Sequence, residues 1–122
     1  MRVSQSVPKS VFASLCDSLS DRTATLGVIG LGYVGLPLSR ALSMHYPLTG
    51  FDIDATRISQ LKQGIDRTGE MSVARLRDAA IYYSGDTGDL TSCNVFIITV
   101  PTPVDDNNQP DLTAVKAACR TV

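Results

Sequence analysis

Gly30, Gly32 and Gly35 stand as G-x-G-x-x-G inside the run T-L-G-V-I-G-L-G-Y-V-G from Thr25 to Gly35, and Asp52 follows Gly30 by 22 residues. Residues of these types at this spacing can hold a dinucleotide. Gly30 makes a tight turn, Gly32 leaves bare backbone where a pyrophosphate approaches, and Gly35 lets the next helix pack close to the preceding strand. The first turn of that helix offers amide N–H groups without intrahelical acceptors, at the positive end of its dipole. A carboxylate at Asp52 can accept hydrogen bonds from the adenosine ribose hydroxyls. Glycines fall at this spacing by chance in a chain that holds nine of them. The order strand, glycine turn, helix, strand, acid favours dinucleotide binding over a turn of structural use alone.

The elements that must position these residues are legible from periodicity. Leu26 to Ile29 reads as a buried parallel strand, and Leu36, Leu38, Ala41, Leu42 and Met44 suit a helix from Val34 to about Tyr46, with Pro37 in its first turn. Leu48 to Ile53 is the second strand. Asp54 can cap a helix that carries Ile58 and Leu61 and stops at Gly64, and a short helix through Val73, Leu76 and Ala79 follows. A third strand is expected at Ile81 to Ser84 and a helical turn at Asp89 to Ser92. Asn94 to Val100, an unbroken β-branched and aromatic run, is expected as a fourth strand buried on both faces. The loop from Pro101 to Pro110 leads to Asp111, a cap for a last helix with Leu112, Val115 and Ala118 on one face. Ahead of all this lie a polar leader, Met1 to Val7, and a short amphipathic helix from about Pro8 to Ser20. The stripe Val11, Phe12, Leu15 and Leu19 of that helix is expected to pack on the nucleotide domain or on a partner subunit.

Strands alternating with helices give an α/β fold, a Rossmann-type doubly wound parallel sheet with strand order 3-2-1-4. The full order 3-2-1-4-5-6 needs two more strands than the sequence supplies. Residues 1–24 are therefore expected as leader and helix, and residues 25–122 as the N-terminal part of a dinucleotide domain. The fourth strand is expected at an open edge, through which the chain alone would self-associate.

The 122 residues carry 43% hydrophobic side chains and a formal charge of -1, enough apolar material for one core and no basic patch for nucleic acid. No apolar run is long enough for a membrane span, and no signal-peptide core precedes the first strand, so a cytoplasmic protein is expected. Cys16, Cys93 and Cys119 are widely spaced and read as reduced packing residues, and His45 as a helix-end residue without a ligand role. Asp105, Asp106, Asn107 and Asn108 lack the glycine and glutamate of a calcium loop, and no metal is assigned.

G-L-G-Y-V-G-L-P from Gly30 to Pro37, F-D-I-D from Phe51 to Asp54 and V-P-T-P from Val100 to Pro103 resemble the N-terminal NAD-binding domain of the UDP-glucose/GDP-mannose dehydrogenase family. D-R-T-A at Asp21 to Ala24, D-R-T-G-E at Asp66 to Glu70, and Pro110 with Asp111 look most like the bacterial UDP-N-acetylhexosamine 6-dehydrogenases of that family. The resemblance implies NAD as cofactor and two successive oxidations at C6 of a UDP-sugar, giving the uronic acid for surface polysaccharides. A UDP-glucose 6-dehydrogenase and a non-catalytic NAD-binding module are the alternatives. The resemblance implies catalytic residues beyond Val122, so that the chain alone is expected to be inactive; a homo-oligomer is expected, and charge and hydropathy point to no nucleic-acid or membrane partner. The implied cofactor set is Gly30, Gly32, Tyr33, Val34, Gly35, Asp52, Ile53, Arg57, Val100, Pro101 and Thr102. Within it, Arg57 stands where the family places a basic side chain near the adenosine end, or is a solvated helix residue. An arginine there can also meet the 2′-phosphate of NADP, but the Asp52 carboxylate would repel that phosphate, and NAD is favoured. Thr102 lies against the ribose and pyrophosphate, or only ends a strand.

Overall fold

The computed structural model describes residues 3–69 and 71–122. Met1 and Arg2 of the expected leader, and Glu70 of the D-R-T-G-E segment, lie outside the described residues. In chain order the elements are α1 (Val3–Ser20), β1 (Leu26–Ile29), α2 (Gly35–Ser43), β2 (Leu48–Phe51), α3 (Ala55–Lys62), α4 (Val73–Asp78), β3 (Ile81–Ser84), a 3-10 turn at Thr87–Leu90, β4 (Val95–Ile98) and α5 (Thr113–Thr121). The four strands form one parallel sheet in the order β3-β2-β1-β4, as expected from right-handed crossovers. Leu26 lies opposite Leu48 and Val95, and Ile29 opposite Phe51 and Ile98. The strands thus end level, and the segments that follow β1, β2 and β4 emerge side by side.

Alternation along the strands divides the core between the two faces of the sheet. Leu26 and Val28 of β1 join Leu36, Leu48, Ile58, Leu61, Leu76 and Tyr83 on the face covered by α2, α3 and α4, with Val95 and Ile97 against them. Ile29, Phe51, Leu90 and Ala118 form the second cluster, with Phe96 and Ile98 packed on it. β4 is half-buried at all four positions, where burial on both faces was expected, because it is the edge strand of the described sheet and pairs only with β1.

Several boundaries differ from the sequence reading for local reasons. α1 is helical from Val3, so Pro8 lies inside it and not in its first turn. Its apolar stripe does not lie on the domain: Val11 and Phe12 are 63% and 69% exposed, and Leu19 alone reaches the core, where the Tyr46 hydroxyl donates to its carbonyl. α2 ends at Ser43 and β2 at Phe51, and the 3-10 turn begins two residues earlier than expected. Asp54 caps α3 by accepting from the amides of Thr56 and Arg57. Asp111 serves one residue ahead of the N-cap, accepting from the amide and hydroxyl of Thr113, which leaves Leu112 as the N-cap and 43% exposed. Of the cysteines, Cys93 packs against the second cluster, while Cys16 and Cys119 are exposed and free. His45 meets Arg22 at 3.1 Å at the surface.

The connection from α3 to α4 is organised by one carboxylate. Asp66 accepts from the amide and hydroxyl of Thr68, from the amide of Met71 and from Nη1 of Arg57 at 2.9 Å. Its side chain is 0% exposed, and that of Arg57 2%. Burial by itself would raise the Asp66 carboxyl, but the hydrogen bonds from Thr68, Arg57 and Met71 outweigh it and hold the group below the usual carboxylate range. A carboxyl depressed in the folded state stabilises fully above its unfolded value of about 3.9, and that contribution is lost as pH falls through the folded value. Asp66→Asn should cost about 3–5 kcal/mol near neutral pH, the penalty for leaving Arg57 buried without its partner. The variant's stability should also fall less steeply than wild type below about pH 4. Urea unfolding across acid pH measures both, and parallel acid limbs in the two proteins would remove Asp66 from the account.

Candidate functional site

Residues 30–34 after β1, 52–53 after β2 and 99–102 after β4 line a cleft of about 750 Å³ at the level ends of the strands. Nine of the eleven expected residues line it: Gly30, Gly32, Tyr33 and Val34 on one wall, Asp52 and Ile53 on another, and Val100, Pro101 and Thr102 on a third; Gly35 lies one residue behind, and Arg57 is not among the lining residues. Sequence reading missed the remaining wall, the α5 face formed by Ala114, Ala117, Ala118 and Thr121. The signal was present as small residues at i, i+3, i+4 and i+7, a helical stripe that leaves room beside it. Thr99 was also missed. Its hydroxyl donates at 2.7 Å to the Gly30 carbonyl and fastens the glycine turn to the end of β4.

The three glycines are required for three different reasons. Gly30 has φ +98°, in the left-handed region open to glycine. At Gly35 an added Cβ would overlap the Gly30 carbonyl and strike the Thr99 hydroxyl, so the close approach of α2 to β1 excludes any side chain. At Gly32 the protein imposes nothing: φ lies outside the left-handed region, and an added Cβ would meet no atom within 4 Å. Gly32 is also one of the residues that line the cleft.

The N-terminus of α2 points to the same place. Its N-cap is Val34, and no side chain caps it, although serine, threonine, asparagine or aspartate commonly fills that position. Among the described residues no protein acceptor is recorded for the amides of Gly32, Tyr33 and Val34. Tyr33 and Val34 are 69% and 65% exposed, and Ile53 83%, apolar surface at the mouth of a cleft that already holds free donors.

Asp52 is half-buried and bridges two walls. One carboxylate oxygen accepts from the Leu31 amide at 3.0 Å and the other from the Asp54 amide at 3.0 Å, which aims the group into the cleft with acceptor capacity remaining on both oxygens. Arg57 differs from expectation. It is neither a solvated helix residue nor turned toward the cleft: it is 2% exposed, with Nε and Nη2 on the Leu31 carbonyl and Nη1 on Asp66. Asp105 folds its own loop by accepting from the amides of Asn107 and Gln109. Among the described residues no three His, Cys, Asp or Glu side chains converge as a metal would need, and no helix is long and apolar enough to cross a membrane.

The packing separates the glycines experimentally. Gly35→Ala should lose about 3 kcal/mol or more, because the overlapping atoms are backbone and cannot move aside. Gly32→Ala should stay within about 0.5 kcal/mol of wild type. Thermal unfolding of both decides it, and equal losses would mean that the two positions are packed alike.

A profile of the UDP-glucose/GDP-mannose dehydrogenase family, NAD binding domain, matches residues 24–122. The chain is 46% identical over 98 residues to a UDP-N-acetyl-D-glucosamine 6-dehydrogenase of Pseudomonas aeruginosa, covering 80% of this chain and 23% of that protein. It is 41% identical over 97 residues to protein CapL of Staphylococcus aureus, covering 80% and 23%. Among solved structures it resembles a UDP-D-ManNAc dehydrogenase from Pyrococcus horikoshii, with TM-score 0.74, 32% identity and coverage of 80% and 25%. The chain thus spans about a quarter of the length of the relatives it matches. With its strand order, its glycine turn and the match over residues 24–122, the chain belongs to the UDP-glucose/GDP-mannose dehydrogenase family, within the NAD-binding domain.

Proposed function

We propose that this chain supplies the adenosine half of the NAD site in a nucleotide-sugar 6-dehydrogenase that oxidises C6 of a UDP-N-acetylhexosamine to the uronic acid, using two NAD, for surface polysaccharide biosynthesis. The observation that carries the cofactor reading is Gly32, a glycine that neither backbone conformation nor packing demands and that borders the cleft. An occupant that touches the backbone there explains it, and a diphosphate, held by the free amides of Gly32, Tyr33 and Val34 and the positive end of α2, is such an occupant. Asp52 holds the adenosine ribose hydroxyls, and Ile53, Val100 and the small-residue face of α5 enclose the adenine. Pro101 and Thr102 lie where the cofactor passes toward the second half of the domain. Arg57 is committed inside the protein and Asp52 faces the ribose, so a 2′-phosphate would meet a carboxylate and no cation; this supports NAD over NADP.

When bound, NAD supplies the hydride acceptor for oxidation at the sugar carbon. This chain's residues contribute position: the turn orients the diphosphate and Asp52 fixes the ribose, which sets where the far end of the cofactor lies. The N-acetylhexosamine is supported by the names and identities of the relatives. We also propose residues 25–122 as the N-terminal part of a longer two-domain protein, catalytic residues beyond Val122, and a homo-oligomeric cytoplasmic enzyme.

Asp52→Ala should weaken NAD binding by about 1–3 kcal/mol, the cost of leaving hydroxyl donors without a charged acceptor. Gly32→Val should abolish binding while the fold persists. Calorimetric titration tests both, and unchanged affinity in the two variants would remove the glycine turn from the site. The full-length protein should raise absorbance at 340 nm with UDP-N-acetylglucosamine or UDP-N-acetylgalactosamine. A rise with UDP-glucose alone would reassign the sugar, and no rise with any UDP-sugar would reject the enzymatic reading.

A further inference from the structure

Leu31, the residue between Gly30 and Gly32, is held at every group it has. Its side chain is 0% exposed, its amide donates to Asp52 at 3.0 Å, and its carbonyl accepts from Arg57 through Nε at 2.8 Å and Nη2 at 2.5 Å. Two donors of one guanidinium on a single carbonyl oxygen use up both lone pairs of that oxygen. Arg57 is kept in place from behind by Asp66, whose carboxylate is itself fixed by Thr68 and Met71. The charge of Arg57 is matched within the core and is not presented to a ligand.

The consequence follows from peptide geometry. The peptide group joining Leu31 to Gly32 is planar and trans, so its C=O and N–H point in opposite directions. With the Leu31 carbonyl turned inward to Arg57, the Gly32 N–H faces away from Arg57, toward the cleft that Gly32 lines. A charged donor on the carbonyl also polarises the peptide and strengthens its N–H as a donor. As core packing alone, a buried ion pair is replaceable by apolar residues of similar volume at little cost. We infer that Arg57, braced by Asp66, is a positioning residue that turns the 31–32 peptide, and with it the amides leading into α2, toward the cofactor diphosphate; this rests on the NAD reading of the cleft.

The test separates positioning from folding. Arg57→Met alone strands Asp66 and can fail to fold, so the informative protein is the double variant Arg57→Met/Asp66→Leu, which buries no unpaired charge. Made in the full-length protein, it should unfold cooperatively and bind adenosine within about twofold of wild type, because the ribose and adenine contacts do not involve the 31–32 peptide. Its Kd for ADP-ribose and for NADH should rise about tenfold or more, the range expected when hydrogen bonds to a charged group lose their geometry. In ¹⁵N spectra the Gly32 amide should shift on ADP-ribose addition in wild type and shift less in the variant. Equal loss of adenosine and ADP-ribose affinity, or none of either, would overturn the positioning role. A wild-type protein that binds neither ADP-ribose nor NADH would instead overturn the NAD reading beneath it.

Discussion

The close approach of α2 to the end of β1 is the constraint from which the rest of the site follows. Residue 35 has no room for one carbon atom, because the Gly30 carbonyl occupies the space where a Cβ would lie. That contact sets the helix axis, brings its uncapped first turn to the mouth of the cleft and forces the chain between Gly30 and Gly35 into a single tight course. Thr99 ties the same carbonyl to β4, so the turn is fastened to two neighbouring strands at once.

A turn this tight has polar groups that cannot all be met by secondary structure, and the protein meets them with charge. Asp52 takes the Leu31 amide, and Arg57 takes its carbonyl. Burying a guanidinium is costly unless it is paired and hydrogen-bonded, and here Asp66 is its partner, within a loop that exists largely to hold that carboxylate. Asp66 therefore belongs to the glycine turn in energetic terms, although it lies 35 residues from Leu31 in the chain. The amides left without a protein acceptor among the described residues, on Gly32, Tyr33 and Val34, belong to residues that line the cleft.

This division of labour separates two kinds of requirement within one motif. Gly30 and Gly35 serve the fold, one through φ and the other through contact, while Gly32 is demanded by neither and borders the cleft. Likewise Asp52 works in both directions, bracing the turn with one lone pair on each oxygen and offering the rest to the cleft. The remaining wall of the cleft is α5, a helix that packs on the second cluster through Ala118 and lines the cleft with Ala114, Ala117 and Thr121.

The strands, their parallel order and the glycine turn with Asp52 were legible in the sequence, because apolar runs, period-3.6 spacing and glycine punctuation are local signals that packing reinforces here. The family and its cofactor were legible for the same reason, in the motifs from Gly30 to Pro37, Phe51 to Asp54 and Val100 to Pro103. The fate of side chains that act at a distance was decided only by tertiary structure. Arg57 reads as a basic residue near the adenosine end or as a solvated helix residue, yet its long side chain reaches inward to Leu31, 26 residues earlier. Asp66 reads as a loop residue, since nothing local marks the buried guanidinium it neutralises. The stripe on α1 reads as a face for the domain or for a partner subunit, and within this chain Val11 and Phe12 stay exposed, because periodicity specifies which residues share a face and not what that face meets.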